Sequence, residues 1–398
     1  MKILQVVPYF HPAYAFGGPV KGVYQISKEL VRRGHEVVIY TSDAKDFGSR
    51  LNMGFSDKIN GIRVYRFRNL SMISVKKMKF FITPNMILYA REEVKTFDII
   101  HLHEYTTFQN IIIHHYATKY GVPYVLQPHG SLARIGAWRK LKWFYNILFG
   151  YRLLKDASKV VALSPMEALQ QRSMGVPREK IEIIHNGIDL SEYASLPPKG
   201  FFKKKVGIDD DEKIVLYLGR IHEIKGIDIL VKAFAKVIDS LDDVKLVIVG
   251  PDDGYLGKLE ALIKALKIKD DVLILGPLYD TDKLEVYVDA DICVLPSRYE
   301  TFPNVVLEAY ACSKPVIASN VESISDIVLH GETGLLVRAG DVKELANAIT
   351  FMLTHLKQAE KMGFKARKLV EEKFSIDIVV TKLEALYERV LKNEQKSE

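Results

Sequence analysis

The chain has 398 residues, 48% of them hydrophobic and 26% charged. Those proportions exclude a disordered tail or low-complexity scaffold, and at roughly 100–200 residues per domain the length predicts two domains. Two cysteines, Cys293 and Cys312, exclude a disulfide framework or a Cys-rich metal site and fit a reducing compartment.

The net charge of +7 is unevenly held: residues 1–190 carry 27 Lys/Arg against 14 Asp/Glu, and residues 191–398 carry 29 against 35. A basic first half suits nucleic acid, an anionic membrane or an anionic substrate, and composition does not choose among them. No run of about 18 uncharged apolar residues occurs, and the first apolar run, residues 3–7, is too short for a signal-peptide core. The expectation is a cytoplasmic protein that does not span a membrane.

In chain order, apolar β-branched runs alternate with amphipathic stretches. ILQVV (3–7) is followed by a helix over 20–33 closed by Gly34, then by EVVIY (36–40). Further strands are expected at 62–67, 98–102, 124–127, 160–163 and 181–184. Most are apolar on both faces, the signature of a buried parallel sheet. SPME (164–167) opens a helix, with Ser164 as N-cap, Pro165 at the first helical position and Glu167 placed to complete a capping box. NGIDLSEYASLPPKG (186–200) breaks the pattern and reads as the linker. Alternation then resumes at 214–219, 244–250, 272–276, 292–296, 315–319 and 334–337. The predicted fold is α/β: two Rossmann-like doubly wound domains whose ligand edges, at the carboxyl ends of the strands, face across a cleft.

The candidate chemistry sits at those edges. In SRYETFPNVVLEAYACSKPVIAS (297–319), Pro303 suits a first helical turn, so Glu300 precedes the helix and Glu308 lies about two turns along. A carboxylate there can accept from sugar hydroxyls and free amides there can bind phosphate, although both glutamates also read as solvated helix charges. In LGRIHEIKG (218–226), Arg220 offers a planar fork and Lys225 a mobile point charge for a diphosphate; the same segment reads equally as a tight turn with two exposed cations.

In the first half, FGGPVKG (16–22) follows a strand, and the amides of Gly17 and Gly18 could face a phosphate. It lacks the G-x-G-x-x-G spacing of a nicotinamide-dinucleotide site, although Asp43 after the second strand keeps that reading open. PHGS (128–131) puts His129 at a strand end, able to donate to a sugar hydroxyl or simply to cap a loop. HLHE (101–104) lacks the further ligands a metal site needs, so no metal is predicted.

GGP after the first strand, PHGS, LGRIHEIKG, and ETFPNVVLE followed by PVIAS and GETGLLV occur in an order that resembles retaining glycosyltransferases of family 4 (glycosyl transferases group 1), over nearly the whole chain. That resemblance implies the glycosyltransferase-B fold, with residues 1–190 as acceptor-binding domain, 191–374 as donor-binding domain, and 375–398 as a C-terminal helix crossing back to the first. It implies transfer of a hexose-type sugar from a nucleotide-diphosphate sugar, UDP-linked by preference and GDP-linked as the alternative. The acceptor would be a glycan or lipid-linked molecule in cell-surface polysaccharide or glycolipid synthesis, with neither metal nor cofactor.

The resemblance assigns Arg220 and Lys225 to the diphosphate and Glu308 to the ribose hydroxyls. Glu300 and His129 fall to the transferred sugar, Gly17 and Gly18 to the donor phosphate, and Asn304 to the donor-binding set. His129, Glu300, Arg220 and Lys225 form the catalytic group. Departures from the family pattern at Ser313–Lys314, Glu322–Ser323 and Asp326 concern the sugar pocket. A nucleotide-sugar epimerase on the same fold is the alternative, and no nucleic-acid module is present. SVKKMKFF (74–81) and GAWRKLKWFYNILFGYRLLK (136–155) mix cations with Trp138, Trp143, Phe144, Tyr145, Phe149 and Tyr151, and read either as an interface-seeking surface that meets an anionic membrane peripherally or as core aromatics beside a solvated face.

Overall fold

The computed structural model describes residues 1–78, 80–132 and 139–394, with side chains from residue 142 onward in the last stretch. The described chain divides into two compact units, one of residues Met1–Gly187 with Ile376–Glu398 and one of Ile188–Ser375.

The first unit is built on β1 (Lys2–Val6), β2 (Glu36–Ser42), β3 (Ser56–Ile59), β4 (Ile62–Phe67), β5 (Ile99–His103), β6 (Tyr124–Gln127), β7 (Lys159–Ala162) and β8 (Ile181–Ile183). They lie in the order β3-β4-β2-β1-β5-β6-β7-β8, and every pairing is parallel except β3 with β4. The hairpin strand β3 is missed by the sequence reading. Its residues, SDKI, alternate between exposed and half-buried and carry none of the apolar continuity that marks the other strands. The strand order reverses between β1 and β5, which makes their carboxyl ends the switch point where an open α/β sheet binds ligands.

The second unit holds β9 (Lys213–Leu218), β10 (Val244–Val249), β11 (Val272–Leu275), β12 (Ile292–Leu295), β13 (Val316–Ser319) and β14 (Gly334–Val337). Their order, β11-β10-β9-β12-β13-β14, is parallel throughout and is that of a dinucleotide-binding sheet, with its switch point between β9 and β12. Close backbone approach at this edge demands glycine. A Cβ on Gly226, at φ 65°, would stand 2.1 Å from the Pro296 carbonyl oxygen, and one on Gly250 would stand 1.9 Å from that of Gly219.

The C-terminal helix Ile376–Glu394 belongs to the first unit. Its apolar stripe, Ile376, Val379, Val380, Leu383, Leu386, Tyr387 and Val390, repeats at helical spacing and joins the core formed by Val23, Ile26 and Leu30 of the helix Gly18–Arg32 and by Ile3, Val37 and Ile39 of the sheet. Each such side chain contributes roughly 1.5–3 kcal/mol on full burial. Arg33, beyond the end of the first helix, ties the same helix electrostatically: it donates to Glu29 at 2.7 Å, to the Asp377 carboxylate at 2.7 Å, and to Glu384.

Two local expectations change in the structure. Ser164 caps the helix Pro165–Ser173 by accepting from Glu167 N, but Glu167 does not close the capping box. Its buried carboxylate instead accepts from Leu163 N at 2.7 Å and from Gly130 N at 2.6 Å, because the neighbouring loop brings it a second amide. Asp43 receives Arg50 in an ion pair and accepts from Asn69 N at 2.9 Å, so it is spent on holding its own loop. That removes the remaining support for a nicotinamide dinucleotide.

Candidate active site

In the second unit, β9 ends at Leu218 and the chain turns through Gly219 and Arg220 into a short 3-10 turn, Glu223–Lys225. The His222 ring accepts from Ile224 N and so fixes the turn from inside, and Gly226 lets the backbone pass Pro296. Lys225 is thereby held across from the loop that follows β12. Its Nζ donates to Glu300 Oε1 at 2.5 Å, and both side chains are largely enclosed.

Glu300 is itself fixed: Ser297 Oγ donates to the same carboxylate oxygen at 2.8 Å, and Ser323 Oγ donates to the Glu300 carbonyl at 2.7 Å. Pro303 caps the helix Asn304–Ala311, placing Asn304 at its first position and Glu308 in its second turn. Glu308 receives Lys283 Nζ at 2.7 Å on Oε1 and the Tyr287 hydroxyl at 3.1 Å on Oε2. Arg220 pairs with Asp253, and its carbonyl accepts from Tyr217 OH at 2.9 Å.

The predicted residues of this unit thus fall at one strand edge, but as three cation–carboxylate pairs rather than as free groups. Within this edge an isolated buried charge would be costly, whereas a buried pair with further hydrogen bonds persists. A cation so held can exchange its carboxylate for a phosphate without reorganising its backbone. Sequence reasoning does not find Lys283, Tyr287 or Asp253, and it marks Ser323 only as a departure from the family pattern, without its hydrogen bond to Glu300. They lie 21 to 33 residues from the groups they hold, and no local spacing marks them. Ser297, three residues before Glu300, is the one support with a local signal.

In the first unit the helix Gly18–Arg32 begins after β1, with Gly17 as N-cap at φ 93° and Pro19 in the first turn. Gly17 N is taken by the Tyr14 carbonyl at 3.0 Å, so the paired-amide expectation narrows to Gly18, which stands at the first helical position with no intrahelical acceptor ahead of it. His129, at φ 51°, presents Nε2 to His103 Nδ1 at 2.9 Å. His103 Nε2 meets Gln5 Oε1 at 2.5 Å, and the His101 ring stacks on His103 with centroids 4.1 Å apart.

Burial holds His101 and His129 down at about 3 and His103 well below the usual histidine range, so all three rings are neutral at physiological pH. Glu104, after β5, receives Tyr9 OH at 2.5 Å. Burial pushes Glu104 up to about 7, despite hydrogen bonds from Tyr9 and Ser131 that act the other way, and burial likewise pushes Glu167 up to about 7. Among the described residues no group of three or more His, Cys, Asp or Glu is arranged to hold a metal ion.

The Glycosyl transferases group 1 model matches residues 198–369, and the Glycosyltransferase Family 4 model matches residues 16–192. The chain belongs to the group 1 glycosyltransferases. Its fold is the glycosyltransferase-B fold. Among curated proteins it is 28% identical to N-acetyl-alpha-D-glucosaminyl L-malate synthase of Bacillus anthracis over 93% of both chains. It is also 28% identical to D-inositol 3-phosphate glycosyltransferase of Gordonia bronchialis, over 95% of this glycosyltransferase and 85% of that one. Among solved structures, HepE of Anabaena in complex with UDP and glucose superposes with a TM-score of 0.78 at 21% identity, over 98% of this chain and 100% of that one.

This glycosyltransferase also carries an exposed apolar stripe on its first unit. Between residues 139 and 156, Trp143, Phe144, Ile147, Leu148 and Tyr151 recur at helical spacing on one exposed face, with Trp143 half exposed and Leu148 60% exposed. Tyr145 and Asn146 turn inward with Leu153 and Leu154. Of the aromatics expected in this segment, Tyr145 is therefore core, whereas Trp143, Phe144, Phe149 and Tyr151 are surface; Trp138 lies outside the described residues. No helix among the described residues is long and apolar enough to cross a membrane.

Proposed function

We propose that the protein transfers a hexose-type sugar, with retention of anomeric configuration, from a UDP-sugar to a glycan or lipid-linked acceptor, in the synthesis of cell-surface polysaccharide or glycolipid. A GDP-sugar is the second choice of donor. The observation that carries this reading is the pairing of Lys225 with Glu300 at the switch point of the second sheet, beside Arg220. Lys225 and Arg220 take the donor diphosphate, Glu308 the ribose hydroxyls and Glu300 the transferred sugar, with Asn304 at the helix start in the same donor set. His129 is assigned to the sugar and Gly18 to the donor phosphate.

In the reaction, the acceptor hydroxyl oxygen bonds to the anomeric carbon as the bond from that carbon to the diphosphate oxygen breaks. The hydroxyl proton passes to the departing diphosphate, so no protein base is needed, and the developing negative charge falls on Lys225 and Arg220. These cations supply the charge stabilisation that a metal would otherwise give, which supports metal-independent transfer. The family relationship and the UDP bound by HepE support the donor class.

The exposed stripe around Trp143, flanked by Arg152 and Lys155, supports a peripheral seat on the anionic inner face of the cytoplasmic membrane, where a lipid-linked acceptor would be met. A thermal-shift panel of UDP, GDP, ADP and their sugar conjugates tests the donor reading, since a ligand of the native state raises Tm. Selective stabilisation by UDP compounds, lost in folded Lys225→Ala and Glu308→Ala variants, is the expected result; no stabilisation by any nucleotide would overturn it. Co-sedimentation with vesicles containing anionic lipid, lost on Trp143→Ser and Leu148→Ser, tests the membrane seat. Equal binding to zwitterionic vesicles, or none, would reject it.

A further inference from the structure

The three neutral rings at the end of the first sheet leave one question open: which nitrogen of His129 carries its hydrogen. Two contacts decide it. Gln5 lies on β1 and is fully buried, and its Oε1 faces His103 Nε2 at 2.5 Å. A carbonyl oxygen only accepts, so His103 carries its hydrogen on Nε2. His103 is neutral, so its Nδ1 is then a lone pair, and the partner facing it at 2.9 Å, His129 Nε2, must be the donor. His129 is neutral too, which leaves its Nδ1 as a lone pair. That atom is buried and has no hydrogen-bond partner among the described residues.

We infer that Gln5 is a positioning residue that acts through His103 to fix the tautomer of His129, so that His129 offers a hydrogen-bond acceptor, not a donor, to the bound sugar. The inference rests on the proposed contact of His129 with the transferred sugar and specifies its chemistry: the ligand atom that meets Nδ1 must carry a hydrogen, as a sugar hydroxyl does and an ether or phosphate oxygen does not. It also reverses the expectation drawn from the sequence that His129 donates. An unpartnered buried acceptor at a switch-point edge is a group whose partner arrives with the substrate.

Both contacts are made inside the first unit by residues 98 and 26 positions apart in the chain, so neither is visible in any local motif. The dependence on Gln5 is sharp because its amide has two faces of similar shape. With the nitrogen turned toward His103, every hydrogen in the series would move to the other end, and His129 Nδ1 would become a donor.

The decisive measurement is a two-bond proton–nitrogen correlation spectrum of the full-length protein labelled with 15N-histidine, which reads the protonated nitrogen of each ring. The expected result is hydrogen on Nε2 of both His103 and His129. Hydrogen on Nδ1 of His129 in the unmodified protein would overturn the inference with no variant required. Gln5→Met removes the accepting oxygen, so an N–H on His103 Nε2 would be left buried and unpaired; one hydrogen bond is at stake, enough to move the tautomer ratio of His129 toward Nδ1–H by about fivefold or more. Gln5→Glu, which restores an acceptor, should return the original spectrum, and no change in the Gln5→Met variant would again overturn the inference.

Titration with UDP-glucose separates this device from the sugar contact. A shift of the His129 Nδ1 resonance on saturation supports both. If UDP-glucose raises Tm yet leaves Nδ1 unmoved, the tautomer control by Gln5 survives on the free-protein spectra, and the placing of His129 on the sugar fails.

Discussion

The two strand edges of this glycosyltransferase are built with opposite electrostatics. At the edge of the second sheet, Lys225, Arg220 and Lys283 each form an ion pair with a carboxylate, Glu300, Asp253 and Glu308 respectively. At the edge of the first sheet burial works against charge: it keeps His101, His103 and His129 neutral and pushes Glu104 and Glu167 up to about 7, so that both carboxyl groups hold their protons over part of the neutral range. A site that must stabilise a departing diphosphate needs cations in place before the reaction, and paired carboxylates keep them ordered until then. A site that must read hydroxyl groups needs fixed donors and acceptors, and neutral rings with locked tautomers provide them. The basic net charge of the first half therefore does not mark its ligand edge.

The largest test of this contrast is Lys225→Ala. It deletes a cation from the charged edge and leaves Glu300 with Ser297 but without its ion-pair partner, and turnover should fall by about 100- to 1000-fold with the donor that the thermal-shift panel identifies. Initial-rate kinetics check this, and a loss below about fivefold would mean that the edge is not preorganised for the leaving group.

The second test concerns the backbone that carries the charged edge. Gly226→Ala puts a methyl group against the Pro296 carbonyl at a positive φ, and should cost at least about 2 kcal/mol in urea unfolding. Gly257→Ala is the control. That position lies in the helix Leu256–Leu266 with nothing near its Cβ, and the substitution should add about 0.5–1 kcal/mol.

A third test probes the neutral edge through pH. The ordinary carboxyl value for Glu104 is 4.5, and the fold raises it to about 7. Between those values the native state holds a proton that the unfolded state has released. The contribution of this group to stability is therefore complete below about pH 4.5 and is lost as pH rises through about 7. Glu104→Gln, which never ionises, should flatten that slope: compared with the parent, the variant should gain about 1–3 kcal/mol between pH 5 and pH 8. Urea midpoints at the two pH values decide it. A parallel pH dependence in both proteins would show that Glu104 is ionised in the fold, and the contrast between the edges would lose half its basis.

The same contrast explains which parts of the molecule were legible from the sequence. Among the described residues, thirteen of the fourteen strands announce themselves as apolar runs because a parallel sheet buries both faces. The fourteenth, β3, is an exposed antiparallel hairpin strand with no such signature. Lys225, Glu300 and Glu308 were visible because loops at strand ends and a Pro-started helix place them. Their partners Lys283 and Tyr287 sit on the helix Asp280–Asp289, where their spacing is that of an ordinary surface helix. Glu167 shows the limit from the other side: its capping-box pattern is correct by sequence, yet the carboxylate is claimed by Gly130 N, 37 positions away.

By itself the sequence determined what depends on near neighbours: the alternation of strand and helix, the glycines that permit sharp turns, the capped helix starts, and the family to which their order belongs. The tertiary structure decided what depends on charge and proton placement. Whether Lys225 stands free or paired, whether Glu104 keeps its proton, and which nitrogen of His129 carries its hydrogen all follow from desolvation and from hydrogen bonds between residues distant in the chain. Those energies are set by what surrounds a group once the fold has closed around it, and no local pattern of residues carries that information.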